Sequence, residues 1–166
     1  MMSYSLPEFL AHAIALEREA EERYLELADT MEIHHNIETA KVFREMARFS
    51  KLHGDAIAER TKHLEIRKLK SWEFRWELPP EVGGDDGLHY LMTPYHALNY
   101  ARENEIRGMD YYRTAAEKSQ DEEVRRLGDE FAHEEEEHVA ALNSWIARTA
   151  KPSADWMEDP DPIQSQ

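Results

Sequence analysis

The sequence contains no cysteine. Disulfides, thiolate nucleophiles, thiolate-held zinc and iron–sulfur clusters are excluded for these residues. Glycine is scarce, with 6 among 166 residues, and the 7 prolines stand mostly where helices would start or stop. Basic residues are in deficit: 20 Lys and Arg against 35 Asp and Glu give a formal net charge of −15. So acidic a chain lacks the electrostatic footprint of a nucleic-acid or anionic-membrane binder. No apolar run approaches the ~20 residues of a membrane span. The N-terminal stretch Met1 to Glu8 has neither the basic nor the apolar region of a secretory signal, so a cytoplasmic protein is the expectation.

What remains is rich in Ala, Glu, Arg, Leu and Met, all good helix formers. The chain is long enough for one domain with a sizeable core. Ser5 and Glu8 have the spacing of a capping box, and Pro7 fits a first turn, so a helix is expected to start at Ser5 and end around Glu32 to His35. A second is expected from Asn36 to about Lys68. Thr93-Pro94 opens a third, running to about Lys118. Ser119 is expected to cap a fourth, with Lys151-Pro152 as its stop. The expected fold is all-α: a four-helix bundle over residues 1–150, built of two helical hairpins joined by a long crossover at about 69–93. Residues 151–166 form an extended tail. Leu78-Pro79-Pro80 and Val82 to Gly87 are loop signals. Trp72, Phe74 and Trp76 are expected to lay the crossover on apolar surface.

Each helix carries an apolar stripe with three- and four-residue spacing. The stripes are interrupted by polar residues, and the interruptions repeat. A shift of 88 lays Leu10, Ala13, Glu17, Ala20 and Tyr24 on Leu98, Ala101, Glu105, Gly108 and Tyr112. A shift of 85 lays Met46, Ala47, Ser50 and His53 on Phe131, Ala132, Glu135 and His138. Packing alone does not require polar intruders to coincide. A charge in a bundle core costs several kcal/mol unless paired or coordinated. Three inward carboxylates (Glu17, Glu105, Glu135) and two imidazoles (His53, His138) therefore call for mutual neutralisation or a metal. Inward glutamates with Glu-x-x-His pairs on facing helices are the arrangement that builds a two-metal carboxylate site.

Glu-x-x-His is by itself a poor signal in so acidic a chain. It occurs three times, as Glu32/His35, Glu130/His133 and Glu135/His138. His133 and His138 lie about 140° apart on a helix, so both cannot face the core. The apolar stripe selects Glu135 and His138, and sends Glu130, His133 and Glu134 toward solvent or a neighbour. Glu32/His35 falls at a helix end and reads as a turn. Tyr24 and Tyr112 read as core tyrosines able to donate hydrogen bonds to the ligands.

As a set, Glu17 to Tyr24 (EREAEERY), Glu105 to Tyr112 (EIRGMDYY) and Phe131 to His138 (FAHEEEEH) resemble the rubrerythrin-like branch of the ferritin-like di-iron carboxylate proteins. The resemblance spans about residues 6 to 148. It implies two irons per chain: Glu17 and His53 would serve one, Glu105 and His138 the other, and Glu135 would bridge them. It implies an oxidoreductase acting on peroxide, dioxygen or ferrous iron. The aromatics Phe49 and Trp156, outside the stripes, lead to the expectation of a homodimer. No rubredoxin module is present in this sequence, so electrons would come from an external donor. Two departures stand out. Ser50 occupies the place of the second bridging glutamate, and Gly108 that of an extra glutamate on the third helix. They open an alternative: a degenerate bundle with a single metal, or zinc, acting as a non-enzymatic binding or interaction module.

Overall fold

A computed structural model describes residues 3–76, 80–81 and 88–158. Helix α1 (Leu6–Ile33) starts at the expected capping box. The Ser5 hydroxyl accepts the Glu8 N–H at 3.4 Å, and the Glu8 carboxylate accepts the Ser5 N–H at 3.0 Å. A turn with His35 in the left-handed region (φ 59°) leads into α2 (Ile37–Arg60). Asn36 stands at the N-cap, but its side chain makes no cap bond. Its amide instead donates to the carbonyls of Tyr90 and Met92, at 3.1 and 2.6 Å, and so ties the first hairpin's turn to the end of the crossover.

Helix α2 ends well before Lys68. The Thr61 N–H and hydroxyl both close on the Ile57 carbonyl, at 3.1 and 2.7 Å. The chain then turns, and Leu64 and Ile66 fold back against buried apolar residues. Helix α3 (Pro94–Lys118) has the expected bounds. Helix α4 (Glu122–Ala147) is capped by Asp121 rather than Ser119. Asp121 accepts the N–H groups of Glu123 and Val124 at 2.9 and 3.5 Å, while Ser119 closes α3 and its hydroxyl accepts the Asp121 N–H at 3.1 Å. The helix stops at Ala147, short of Lys151-Pro152, where Thr149 donates back to the Trp145 carbonyl at 2.8 Å.

The four long helices form a ferritin-like four-helix bundle with two hairpins, and no strand occurs among the described residues. Within each hairpin the backbones run close together. Between hairpins they stand further apart. The core divides into two apolar clusters. One holds Tyr24, Met31, Phe43, Met46, Leu98 and Leu142. The other holds Phe9, Leu10, Leu16, Ile57, Tyr112 and Phe131. In chain order the polar intruders fall between the two clusters on every helix, so a polar layer crosses the middle of the bundle.

In the crossover, Trp76 lies edge-on to His12 and Tyr111, at 5.2 and 5.5 Å between ring centroids, and Phe74 stacks on it at 5.1 Å. Trp72 does not cover the bundle: it is 77% exposed on a short 3-10 turn (Ser71–Glu73). The loop signals at residues 77–79 and 82–87 lie outside the described residues. So do residues 159–166 of the tail. In the described part of the tail, Trp156 packs on His96 at 4.0 Å within its own chain. No described helix is long and apolar enough to cross a membrane.

Candidate metal centre

Each helix delivers its polar intruder to the gap between the hairpins. Glu17 (α1) and Glu135 (α4) are 2% and 3% exposed. Glu105 (α3), His53 (α2) and His138 (α4) are half-buried beside them. His138 Nδ1 lies 3.1 Å from Glu135 and 3.3 Å from Glu105. His53 Nδ1 lies 3.7 Å from Glu17. The two imidazoles stack with centroids 4.2 Å apart. The helix phase is what brings them together: at i and i+3, Glu135 and His138 share a face, and His53 meets His138 across the hairpins.

One residue of the cluster is not on a helix. Glu81, from the crossover, is 3% exposed and sits over Gly108 of α3. A Cβ on Gly108 would stand 2.9 Å from the Glu81 Cγ and 3.1 Å from its Cδ, so the Glu81 carboxylate holds its present place only because position 108 has no side chain. The segment is held from below, where Arg107 Nε donates to the Pro80 carbonyl at 3.1 Å. The same guanidinium donates to Asn104, whose amide donates to the Tyr24 hydroxyl at 3.0 Å. Ser50 is buried on α2 and brings no carboxylate.

Two groups of side chains have ligand atoms within 4.8 Å of one another: His53, Glu135 and His138, and Glu17, Glu81 and Glu135. Glu135 belongs to both. The resemblance pairs Glu17 with His53 and Glu105 with His138, and Glu105 stands in neither of the two groups. The 3.7 and 3.3 Å separations keep those neighbours, and the crossover adds a carboxylate that the pairing lacks.

The electrostatics follow from burying like charges together. Burial pushes the Glu17, Glu81 and Glu135 carboxyls up, those of Glu81 and Glu135 well above the ordinary range, and neighbouring carboxylates add to it. Burial also acts to raise Glu105, but hydrogen bonds from Glu135 and His138 outweigh it and hold Glu105 low. Burial acts to lower His53, and the hydrogen bond to Glu17 with the charges of Glu17, Glu105 and Glu134 overcomes it, leaving His53 raised. The Tyr112 hydroxyl is pushed far up by burial and by Glu17, Glu81 and Glu135.

A cavity of about 120 Å³ opens beside the cluster, lined among others by Glu17, His53, Tyr112, Glu134 and Glu135. Glu134, which the stripe assigns to solvent or a neighbour, is half-buried at this mouth. His133 is exposed and pairs with Glu136 and Glu137 on its own helix. Glu130 pairs with Arg60. Glu32 pairs with Arg44 at the end of α1, and His35 makes the turn.

The donor set fits a metal. It is made of carboxylate oxygens and imidazole nitrogens, suited to iron, manganese or zinc. Two buried oxygens aimed at the cluster, Glu81 Oε1 and the Tyr112 hydroxyl, have no hydrogen-bond partner among the described residues. Such orphans are rare in a finished core.

Two known proteins or families match the chain. A sequence profile described as rubrerythrin matches residues 8–75, that is α1, α2 and the start of the crossover. The crystal structure of an uncharacterised conserved protein from Magnetospirillum magnetotacticum MS-1 is 65% identical, covering 90% of this chain and 99% of that one, with a TM-score of 0.66. No curated protein matches the sequence.

Proposed function

This chain belongs to the rubrerythrin family, and on that premise we propose that it binds two iron ions between its hairpins and acts as an oxidoreductase on peroxide, dioxygen or ferrous iron. The proposed ligands are Glu17, His53, Glu105, Glu135 and His138. The observation that carries this reading is the place of Glu135, a buried carboxylate shared by two separate groups of ligand atoms. A residue so placed suits a bridge: it neutralises charge on both sides and fixes their separation.

Bound iron would supply the one-electron redox chemistry. The chain's own groups would do the rest. Glu105 and Glu135 would give up the proton between them as the metal binds. The cavity at His53 and Glu134 is sized for a small substrate. The apolar clusters on either side keep bulk water away. Electrons come from an external donor, the protein is cytoplasmic, and Phe49, 40% exposed outside the stripe, lies on the face of a homodimer.

Ser50 favours a second reading, in which the site holds one metal, iron or zinc, and the protein is a binding module. Elemental analysis of protein purified without a metal-affinity tag separates the two. About two irons per chain supports the first, about one metal supports the second, and none under iron-replete conditions contradicts both.

A further inference from the structure

We propose that Glu81 is itself a metal ligand, so that the crossover between the hairpins, and not the helices alone, completes the site. The inference rests on the metal-binding reading above and adds a ligand that helix periodicity does not reveal.

Four observations converge on it. Glu81 is 3% exposed, and its Oε1 has no partner among the described residues. Its oxygens reach within 4.8 Å of ligand oxygens of Glu17 and Glu135. Gly108 opens the space it fills, on the inward face of α3, where an added Cβ would force the Glu81 side chain to shift. Arg107 clamps the adjoining Pro80 carbonyl and so fixes the direction from which Glu81 enters.

The helices supply three carboxylates, and Ser50 supplies none. Glu81 makes the fourth. A buried carboxylate with an unused oxygen costs several kcal/mol in an apolar bundle. Coordination removes that cost, and the hydrogen bond to Glu135 answers for only one side of the group. Because the crossover carries this ligand, docking of Glu81 and metal binding stabilise each other.

The test uses the full chain loaded with Fe(II) or Co(II). Retained metal is counted by elemental analysis after exposure to a chelator, and Co(II) absorption reports the ligand field. Glu81→Gln keeps the shape and hydrogen-bonding capacity of the group but not its charge. It is expected to weaken retention at least about tenfold and to change the Co(II) spectrum, since even outer partners of ligands cost about 10–100-fold. Gly108→Ala is expected to act like Glu81→Ala by eviction. The double variant Glu81→Ala/Gly108→Glu returns a carboxylate to the same space from α3 and is expected to restore retention. A merely structural acid would not be rescued in this way.

Circular dichroism establishes that each variant folds, and Glu81→Gln carries the test where an alanine variant does not. If Glu81→Gln retains metal as the parent does while Glu135→Ala loses it, the role of Glu81 is overturned and the site stands. If the parent binds no metal, or Glu135→Ala retains it fully, the metal-binding reading itself fails and takes this proposal with it.

Discussion

The two hairpins are built alike and equipped differently. The first brings Glu17 and His53 to the gap, with a buried Ser50 between apolar neighbours. The second brings Glu105, Glu135 and His138, with Gly108 leaving a hole on α3. The difference is one carboxylate on a helix of the first hairpin and one space on a helix of the second. A single residue of the crossover, Glu81, answers both, since its carboxylate occupies the space that Gly108 leaves. The repeated helical frames thus fix where polar side chains enter the gap, and the segment joining them adds one more carboxylate to it.

Substitutions can break this comparison, and the largest effect is expected at the residue both ligand groups share. Glu135→Ala should reduce retained metal to near zero, and Ser50→Ala should leave it unchanged, by elemental analysis of matched preparations. Equal loss in both would mean that the first hairpin contributes at position 50 after all. His53→Ala and His138→Ala come next. Each should lower retained metal by less than Glu135→Ala does, because both imidazoles belong to one of the two groups that Glu135 joins. Loss confined to His138→Ala would leave the second hairpin as the sole holder.

Ser50→Glu sharpens the same comparison from the other side. It should tighten retention against a chelator by giving the first hairpin its own Glu-x-x-His pair. A fall in Tm without a gain in retention would mean that position 50 does not reach the metals.

The buried carboxyls also predict a pH dependence. Glu17, Glu81 and Glu135 are raised in the fold, chiefly by burial, and His53 is raised by its carboxylate neighbours. A group raised in the folded state binds its proton more tightly there than in the unfolded chain. Its contribution is present below the unfolded value and is lost as pH rises through the folded one. Glu105, held low, acts below this range, while His12 and His96, lowered by burial, oppose the trend within it, two groups against four. Metal-free protein should therefore have a higher Tm at about pH 5.5 than at about pH 8, and metal should flatten or reverse the trend. Thermal unfolding with and without chelator checks it. The smallest effect is expected on the outer face of α4. Glu136→Ala and His133→Ala should leave metal content alone and change stability by no more than about 0.5 kcal/mol.

Much of this was legible in the sequence because helices impose a period. The stripe spacing finds all four long helices, and the coincidence of polar intruders finds five residues that the fold gathers around one gap. Ends were less legible. Helix α2 stops at Arg60 because Thr61 turns its hydroxyl back on Ile57 and lets Leu64 and Ile66 fold inward, a choice no period encodes. Asp121 displaces Ser119 as a cap because its carboxylate reaches two N–H groups at once. Glu81 was not legible at all, since a loop residue has no phase. The only trace was Gly108, an inward-facing glycine on a stripe, which signals that something must fill the space without saying what.

Anomalous diffraction at the iron edge, on crystals grown with Fe(II), would test the central claim most directly. The account predicts two peaks about 3.5–4 Å apart, one on each side of the Glu135 carboxylate, with His53, His138, Glu17, Glu81 and Glu105 around them. No peak in the gap between the hairpins, in crystals where iron is bound elsewhere or not at all, would contradict it.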